Sequence, residues 1–384
     1  MCPSYQATRE ERYSTRGRAR LLFEMLHGGP IDDLWRSHAV EEALDFCLGC
    51  KGCKSDCPVN TDMATYKAEF RAHHYQGRLR PRAAYAMGRI ADWSRVASRM
   101  PRLVNAVMQS GPLGRLAKWA GGIAPQRQIP RYAERSFVDW FKARERRPRS
   151  GTRVMIFPDT FNNYFRPQTA IAATHALEAL GYRVAIPDRP VCCGRPLYDW
   201  GWVERGRELW HGMFDTLMHE IEAGTPIVGL EPACVSAFRD ELVALFPGDD
   251  RAQRLSHQTF FISEFLMRER ADAIPHVAGD ALVQLHCHHH AVIKPDAERG
   301  LLERLGLEHE VLASGCCGMA GAFGFETAKY DVSLKIGEQV LLPRVRAASS
   351  ATRILANGFS CREQIEQTTG RTTMHVAELV AEGF

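Results

Sequence analysis

The chain is 384 residues long, 45% hydrophobic and 24% charged, enough for two or three domains that each bury a core; no apolar run approaches the ~18 residues of a membrane span. Its N-terminal stretch, "MCPSYQATREERYSTRGRAR", is polar and basic with no apolar core, which argues against a secretory leader and for the cytoplasm. The net charge of +4 conceals an asymmetry, +12 over residues 1–150 and −8 over the remainder. The front half is therefore a solvated basic face or a docking surface for nucleic acid, an anionic membrane or an acidic partner. Nucleic acid is not expected, because no basic motif is interleaved with aromatic residues. Twelve cysteines without an export signal speak for metal or redox chemistry rather than a disulfide framework.

In chain order, the first elements read as helices. "STRGRARLLFEML" offers Ser14 as a cap and then apolar residues at helical spacing, and "TDMATYKAEFRAHHYQ" opens with a Thr61 or Asp62 cap. Between them lies "CLGCKGCKSDCP", Cys47 to Pro58. The spacing CxxCxxCxxxCP is the bacterial ferredoxin run for a 4Fe-4S cubane, whose fourth cysteine reaches across to a second cluster in two-cluster proteins. Zinc sites instead pair CxxC knuckles across a longer gap. Residues 80–145 read as amphipathic helices broken by Pro81, Pro101, Gly111-Pro112 and Pro130, and the charged stretch 142–151 reads as a linker.

From residue 152 the texture changes. "TRVMIF", "YRVAIP" and "TPIVGL" are short and β-branched, and they alternate with helical runs at 167–180 and 205–222, which predicts a parallel sheet covered by helices. The pattern restarts with "ALVQLHC", "HEVLASG" and "TRILANG", with helices near 295–305 and 334–348. "VCCGRP" answers "GCCGMA", "GLEPAC" answers "ANGFSC", and "VMIFPD" aligns with "LVQLHC", so the second half is an internal duplication with Asp159 where the second copy has Cys287.

Each strand of an open α/β sheet presents its carboxyl end to the edge where ligands bind. Cys287, Cys316, Cys317 and Cys361 are therefore expected to converge, several of them near helix N-termini that favour thiolate. Adjacent cysteines suit an iron–sulfur cluster better than the single tetrahedron of zinc, which stays the rival. The first copy keeps Cys192, Cys193 and Cys234, with Asp159 in place of the fourth thiol, and is expected to bind metal weakly or not at all. His286, His288, His289 and His290 around Cys287 read as a polar strand-end loop rather than a ligand set. The glycines of "GCCGMAGAFGFE" fit no dinucleotide fingerprint and read as close-packing residues.

Taken together, "CPSY", "STRGRARLL", "CLGCKGCKSDCPV", the two Cys-Cys-Gly units, "LEPAC", "HCH", "SGCCGMAGAFG" and "GFSCREQI" resemble the iron–sulfur region of FAD-linked D-2-hydroxyacid dehydrogenases. Relatives of that region include the iron–sulfur subunits of glycolate oxidase and anaerobic glycerol-3-phosphate dehydrogenase and the cysteine-rich subunit of heterodisulfide reductase. The resemblance implies an α/β chain: an α-helical ferredoxin-like 4Fe-4S domain over 1–78, a helical connector and basic linker over 79–150, and two duplicated cysteine-rich domains with parallel sheets. These span 151–275, degenerate, and 276–384.

The function implied is that of an iron–sulfur electron-transfer module, with FAD on a partner domain or subunit and not on this chain. Electrons from a flavin that has oxidised a 2-hydroxy acid (lactate, glycolate or 2-hydroxyglutarate type) would pass to a quinone or another carrier. The module would sit in the cytoplasm or on the inner face of the membrane, with peripheral contact. The rival readings are a stand-alone heterodisulfide-reductase-like thiol/disulfide oxidoreductase and a non-enzymatic cluster-binding protein. Ala237 and Gln364 stand where the fuller cysteine-rich pattern has its final cysteines, which counts against the first rival. "CPSY" resembles the end of a first ferredoxin motif whose start lies before Met1. On that expectation Cys47, Cys50 and Cys53 take Cys2 as their fourth ligand, and Cys57 points away, towards a second cluster.

Overall fold

The computed structural model describes residues 2–145, 148 and 150–384. Ser14 accepts a hydrogen bond from the Gly17 amide (2.8 Å) and starts the helix Thr15–His27, which ends at Gly28 with φ 66°. Ser37 caps His38–Asp45 in the same way. Of the two caps expected for Met63–His74, Asp62 is the one used, accepting from Thr65 N at 3.2 Å. Met25, Val40, Leu44, Met63 and Phe70 of these helices form an apolar core that also takes in Cys47 and is edged by Cys53. The cysteine loop is thus anchored at both sides.

The connector forms the helices Ile90–Ala97, Pro101–Gln109 and Gly111–Gly121. Pro101 and Pro112 sit in first turns, where the missing N–H forfeits no helical bond, so these prolines open helices as well as ending the preceding segment. Of the charged stretch 142–151, Arg146, Arg147 and Arg149 lie outside the described residues, and Lys142 belongs to the helix Phe137–Ala143.

Two parallel sheets follow. The first, β1 (Thr152–Ile156), β2 (Tyr182–Ala185), β3 (Ile227–Gly229) and β4 (Thr259–Phe261), has the order β2-β1-β3-β4. The second, β5 (Asp280–Gln284), β6 (Glu308–Val311) and β7 (Arg353–Ala356), has the order β6-β5-β7. The place that β4 takes beside β3 is taken beside β7 by Met374, which bridges Leu355 in parallel and donates to Ile354 O at 2.8 Å. A helix follows each, Ile262–Arg270 and Val376–Glu382. The duplication therefore extends to the fourth strand.

The covering helices stand at Pro167–Ala179, Val203–Ala223 and Asp296–Leu305. The single helix expected near 334–348 is two, Tyr330–Gly337 and Leu341–Ala347. Pro343 supplies no N–H to continue a preceding helix and is tolerated only in the first turn of a new one. One core joins the copies: Val154, Ile156, Phe261 and Phe265 of the first pack with Val283, Leu301, Leu355 and Val376 of the second. Among the described residues no helix is long and apolar enough to cross a membrane.

Candidate metal centres

The N-terminal thiols are positioned by an unusual loop. After His38–Asp45, Gly49 (φ 61°) and Lys51 (φ 60°) both take the left-handed conformation. A lysine there is strained relative to glycine; its side chain is turned inward to Asp62 (3.0 Å), Asp240 (3.0 Å) and Glu241 (3.3 Å). Cys53 lies in the helix Gly52–Asp56 and Cys2 directly before Pro3–Thr8. Burial raises the Cys50 thiol well above its ordinary value, helped by Cys287, Cys2 and Cys47, and burial raises Cys53, with Cys47 and Cys2 among its neighbours. Cys2, Cys47, Cys50 and Cys53 are therefore one electrostatic group.

Arg18 completes that group. Its buried guanidinium donates to Cys2 Sγ (3.1 Å), Ser4 Oγ (2.9 Å) and Ala43 O (2.7 Å). Burial works against ionisation of Cys2, but Arg18 and Ser4 outweigh it and hold the thiol below its usual value. Cys57 stands apart: its sulfur meets Thr61 Oγ1 at 3.5 Å, and its lowered value is due to Thr61 and local backbone amides, not to another cysteine.

The second copy brings its four cysteines together. Cys287 follows β5, Cys316 and Cys317 follow β6, and Cys361 lies in the first turn of Phe359–Thr369. Cys287 is lowered well below the usual thiol value by the neighbouring Cys316 and by His286, and Cys317 by the neighbouring Cys316 and Cys361. The four thiols thus shift one another's ionisation and act as one electrostatic group. Gly318 (φ 89°) packs against Ser333 O so closely that a Cβ has no room, so the turn requires glycine. Gln364, in place of a final cysteine, donates to Ser333 O (3.2 Å) and faces the backbone instead.

The histidine run departs from the expectation of a polar loop, because three of its four rings are buried. His286 lies beside Cys287 (Nδ1 to Sγ, 4.0 Å); burial opposes its charge, Cys287 outweighs burial, and the ring is pushed up to about 9. His288 Nε2 meets Gly49 O at 2.8 Å, and His289 packs edge-on against Phe261. His290 alone is exposed. The short π-helical turn His289–Ile293 packs against the helices Pro232–Arg239 of the first copy and Gly52–Asp56 of the N-terminal domain.

In the first copy Cys193 and Cys234 lie 3.1 Å apart, sulfur to sulfur, with Cys192 beside them. Asp159 is already engaged as a helix cap. Its Oδ1 accepts from the Phe161 and Asn162 amides (both 3.0 Å) and its Oδ2 from Asn162 Nδ2 (2.9 Å), so it caps the helix Thr160–Tyr164. Although Cys193 lowers the Cys234 thiol, burial, Asp159 and Glu231 outweigh it and push it up to about 12. Where the second copy has the cationic His286, the first has Pro158. Among the described residues no three His, Cys, Asp or Glu groups close on a single metal ion. The donor sets of the N-terminal group and the second copy, four thiols each and buried or half-buried, fit a cluster that shares them among several irons; the first copy's set of three fits it less well.

Sequence reasoning passed over the residues that join these sites. Arg195 of "CCGRP" donates to Gly49 O (3.0 Å) and meets His288 Nε2 (3.0 Å), while also pairing with Glu241. Lys67 donates to Cys47 O (2.9 Å) and pairs with Asp199 (3.1 Å), and Lys329 pairs with Asp45 (2.7 Å). Cys50 and Cys287 share one apolar contact region with Leu48, Cys316, Phe323 and Ile336. Glu231 of "LEPAC" accepts from Phe359 N (2.8 Å) across the copies, and burial pushes its carboxyl up to about 7. The lysine inside "CLGCKGC" was a visible signal; its partners Asp240 and Glu241 were not, being far along the chain.

Lys51 makes the junction testable. Burial opposes its charge, but Glu241, Asp240 and Asp62 hold the ammonium above its ordinary value. Lys51→Met removes the buried cation shared by three largely buried carboxylates, leaving Lys54 on Asp62 and Asp240 and Arg195 on Glu241, and should cost less than the about 3–5 kcal/mol of a wholly unpaired buried charge, read as a lower urea midpoint of the metal-free chain. An unchanged midpoint would mean that the carboxylates rehydrate and that the junction is not held by charge.

A 4Fe-4S dicluster domain matches residues 1–62 and a cysteine-rich domain matches residues 157–239. D-2-hydroxyglutarate dehydrogenase of Pseudomonas putida is 27% identical, across 99% of this chain and 41% of that protein. The glycolate oxidase iron-sulfur subunit of Escherichia coli is 25% identical, across 100% of this chain and 91% of that protein. A subunit of the anaerobic glycerol-3-phosphate dehydrogenase of Escherichia coli is 25% identical, across 73% of this chain and 72% of that protein. The chain spans less than half the length of the D-2-hydroxyglutarate dehydrogenases that it matches. It carries a 4Fe-4S dicluster domain followed by a cysteine-rich domain, and is a relative of the D-2-hydroxyglutarate dehydrogenases and of the iron–sulfur subunits of glycolate oxidase and anaerobic glycerol-3-phosphate dehydrogenase.

Proposed function

We propose that this chain is the iron–sulfur electron-transfer module of a flavin-dependent 2-hydroxyacid dehydrogenase. It receives electrons from a flavin on a partner domain or subunit and delivers them to a quinone or another carrier, with a peripheral contact at the inner face of a membrane. The observation that carries the reading is the meeting of Cys50 and Cys287: two thiol sites from different domains share one apolar contact region. Bound clusters supply one-electron transfer at each site. Cys2, Cys47, Cys50 and Cys53 are the proposed ligands of the first, and Cys287, Cys316, Cys317 and Cys361 of the second.

The chain's own residues hold the two sites in register. Arg18 directs a buried cation at Cys2, Lys67 fixes the carbonyl of Cys47, and His288 and Arg195 together hold Gly49 O. Positive charge and hydrogen bonds around a cluster favour its reduced, more negative state. Arg18 and Lys67 are suited to that task.

The purified chain, reconstituted with iron and sulfide, should oxidise neither lactate, glycolate nor 2-hydroxyglutarate with a dye acceptor, and should do so once a flavoprotein partner is added. Turnover without the flavoprotein would sink the reading. So would failure of substrate to reduce the clusters in the assembled complex.

A further inference from the structure

The connector turns its apolar residues outward. Nine of the fifteen large hydrophobic side chains that stand exposed among the described residues lie between Leu79 and Trp119. Trp93 and Val96 stand exposed on Ile90–Ala97, Met100 at the break that follows and Leu103 on Pro101–Gln109, with Leu116 and Trp119 exposed on Gly111–Gly121, so each connector helix shows apolar side chains to the outside. Such side chains ordinarily face a core. Here the other side of the helix is the one held: Asn105 donates to Tyr132 O (2.8 Å) and accepts from Tyr132 N (2.9 Å), and Gln109 donates to Ile129 O (2.9 Å). Pro101–Gln109 buries no residue, and Gly111–Gly121 buries only two glycines.

The charge of the same segment selects what covers it. Residues 79–122 hold eight Arg and Lys against a single acid, Asp92. Arg82 lies over the Trp119 ring (4.9 Å) and Arg89 beside Trp93 (6.0 Å), so cations flank both tryptophans. Tryptophans and basic side chains bordering an apolar face are the pattern of a helix lying in a bilayer interface, where rings sit at headgroup level and arginines meet phosphates. On its inner side Ile90–Ala97 lends Ala91 and Arg95 to a cavity of about 220 Å³ walled also by Thr160, Tyr164 and Arg189. A small recess sharing Ala91 and Arg95 reaches Cys192. The exposed face is thus back to back with the first cysteine-rich site.

We propose that the helices between Ile90 and Gly121 form a membrane-docking face that lies on an anionic phospholipid surface. The proposal deepens the peripheral contact of the electron-transfer reading and rests on that reading for its purpose, while its geometry stands independently. The docked helices lie in the interface without crossing it.

Flotation of the reconstituted full chain with vesicles tests it. The chain should float with phosphatidylcholine vesicles containing phosphatidylglycerol, much less with phosphatidylcholine alone, and less at high salt. Trp93→Ser with Trp119→Ser should lower partitioning on the order of tenfold, and Arg99→Glu with Arg115→Glu should do likewise. Phe23→Ser with Leu26→Ser, an exposed apolar pair on Thr15–His27, should leave it unchanged, and circular dichroism should show every variant folded. No flotation with anionic vesicles, or equal flotation by the tryptophan variant, overturns the proposal. So does tryptophan emission that shifts on adding a flavoprotein and not on adding vesicles, since the face would then belong to a protein. Reduction of a soluble acceptor by the flavoprotein complex needs no vesicles, so its loss with flotation intact counts against the electron-transfer reading alone.

Discussion

Cys2→Ser should strip most of the iron from the N-terminal site, whereas Cys57→Ser should leave that iron nearly unchanged. The two residues share a Cys-Pro sequence and differ in surroundings. Cys2 sits in the field of Cys50 and Cys53 and receives a hydrogen bond from the buried Arg18. Cys57 turns to Thr61, and its shift is set by Thr61 and the nearby backbone amides. Loss of a ligand should exceed the about 10–100-fold weakening that follows loss of an outer-shell partner, so Cys2→Ser should also erase the paramagnetic signal of the reduced cluster. Arg18→Leu, which keeps all four thiols and removes the cation, should retain iron and shift that cluster to a lower potential. Collapse of iron and signal in Cys57→Ser with survival in Cys2→Ser would mean that "CLGCKGCKSDCP" closes on its own four cysteines.

Local rules carried much of the fold. Ser14 and Asp62 cap the helices their positions imply, because a cap needs only a side-chain oxygen reaching an amide two or three residues on. The six strands legible in the sequence are β-branched and bounded by turns, and the duplication shows in repeated Cys-Cys-Gly units. β4 escapes such reading because "TFF" is three residues with no alternation to detect, and Met374 escapes because one bridged residue has no pattern. The break inside 334–348 has a local signal in Pro343 that helical periodicity alone does not register.

The sites divide along the same line. Cysteine spacing identifies the thiols, since the chemistry resides in the residue type. The buried charges around them have no local signature. Lys51 reads as surface charge until the fold brings Asp240 and Glu241 to it. Arg18 reads as the polar face of its helix until Ala43 O and Cys2 enclose it. The histidines read as polar because their burial depends on Gly49 and Phe261, which belong to other domains.

The two cysteine-rich copies should differ in metal content when cut one thiol at a time in the full chain. Cys317→Ser should lose the metal of the second copy, because Cys317 is coupled to both Cys316 and Cys361 and stands between them in the group of four thiols. Cys193→Ser should leave total metal unchanged. The reason is geometric before it is electrostatic: the first copy has three thiols, and the carboxylate that could complete them is spent on two amides and the Asn162 side chain. Pulling Asp159 off that cap would cost about 1 kcal/mol and leave the half-buried Phe161 and buried Asn162 amides unpaired. The charges agree, since Asp159 and Glu231 oppose a thiolate at Cys234 whereas His286 supports one at Cys287. Asp159→Asn should therefore be silent for metal content, because the cap needs an acceptor oxygen and not a charge. Equal metal loss in Cys193→Ser and Cys317→Ser, with a further loss in Asp159→Asn, would show that Asp159 leaves the helix to bind metal and that the first copy is a working site.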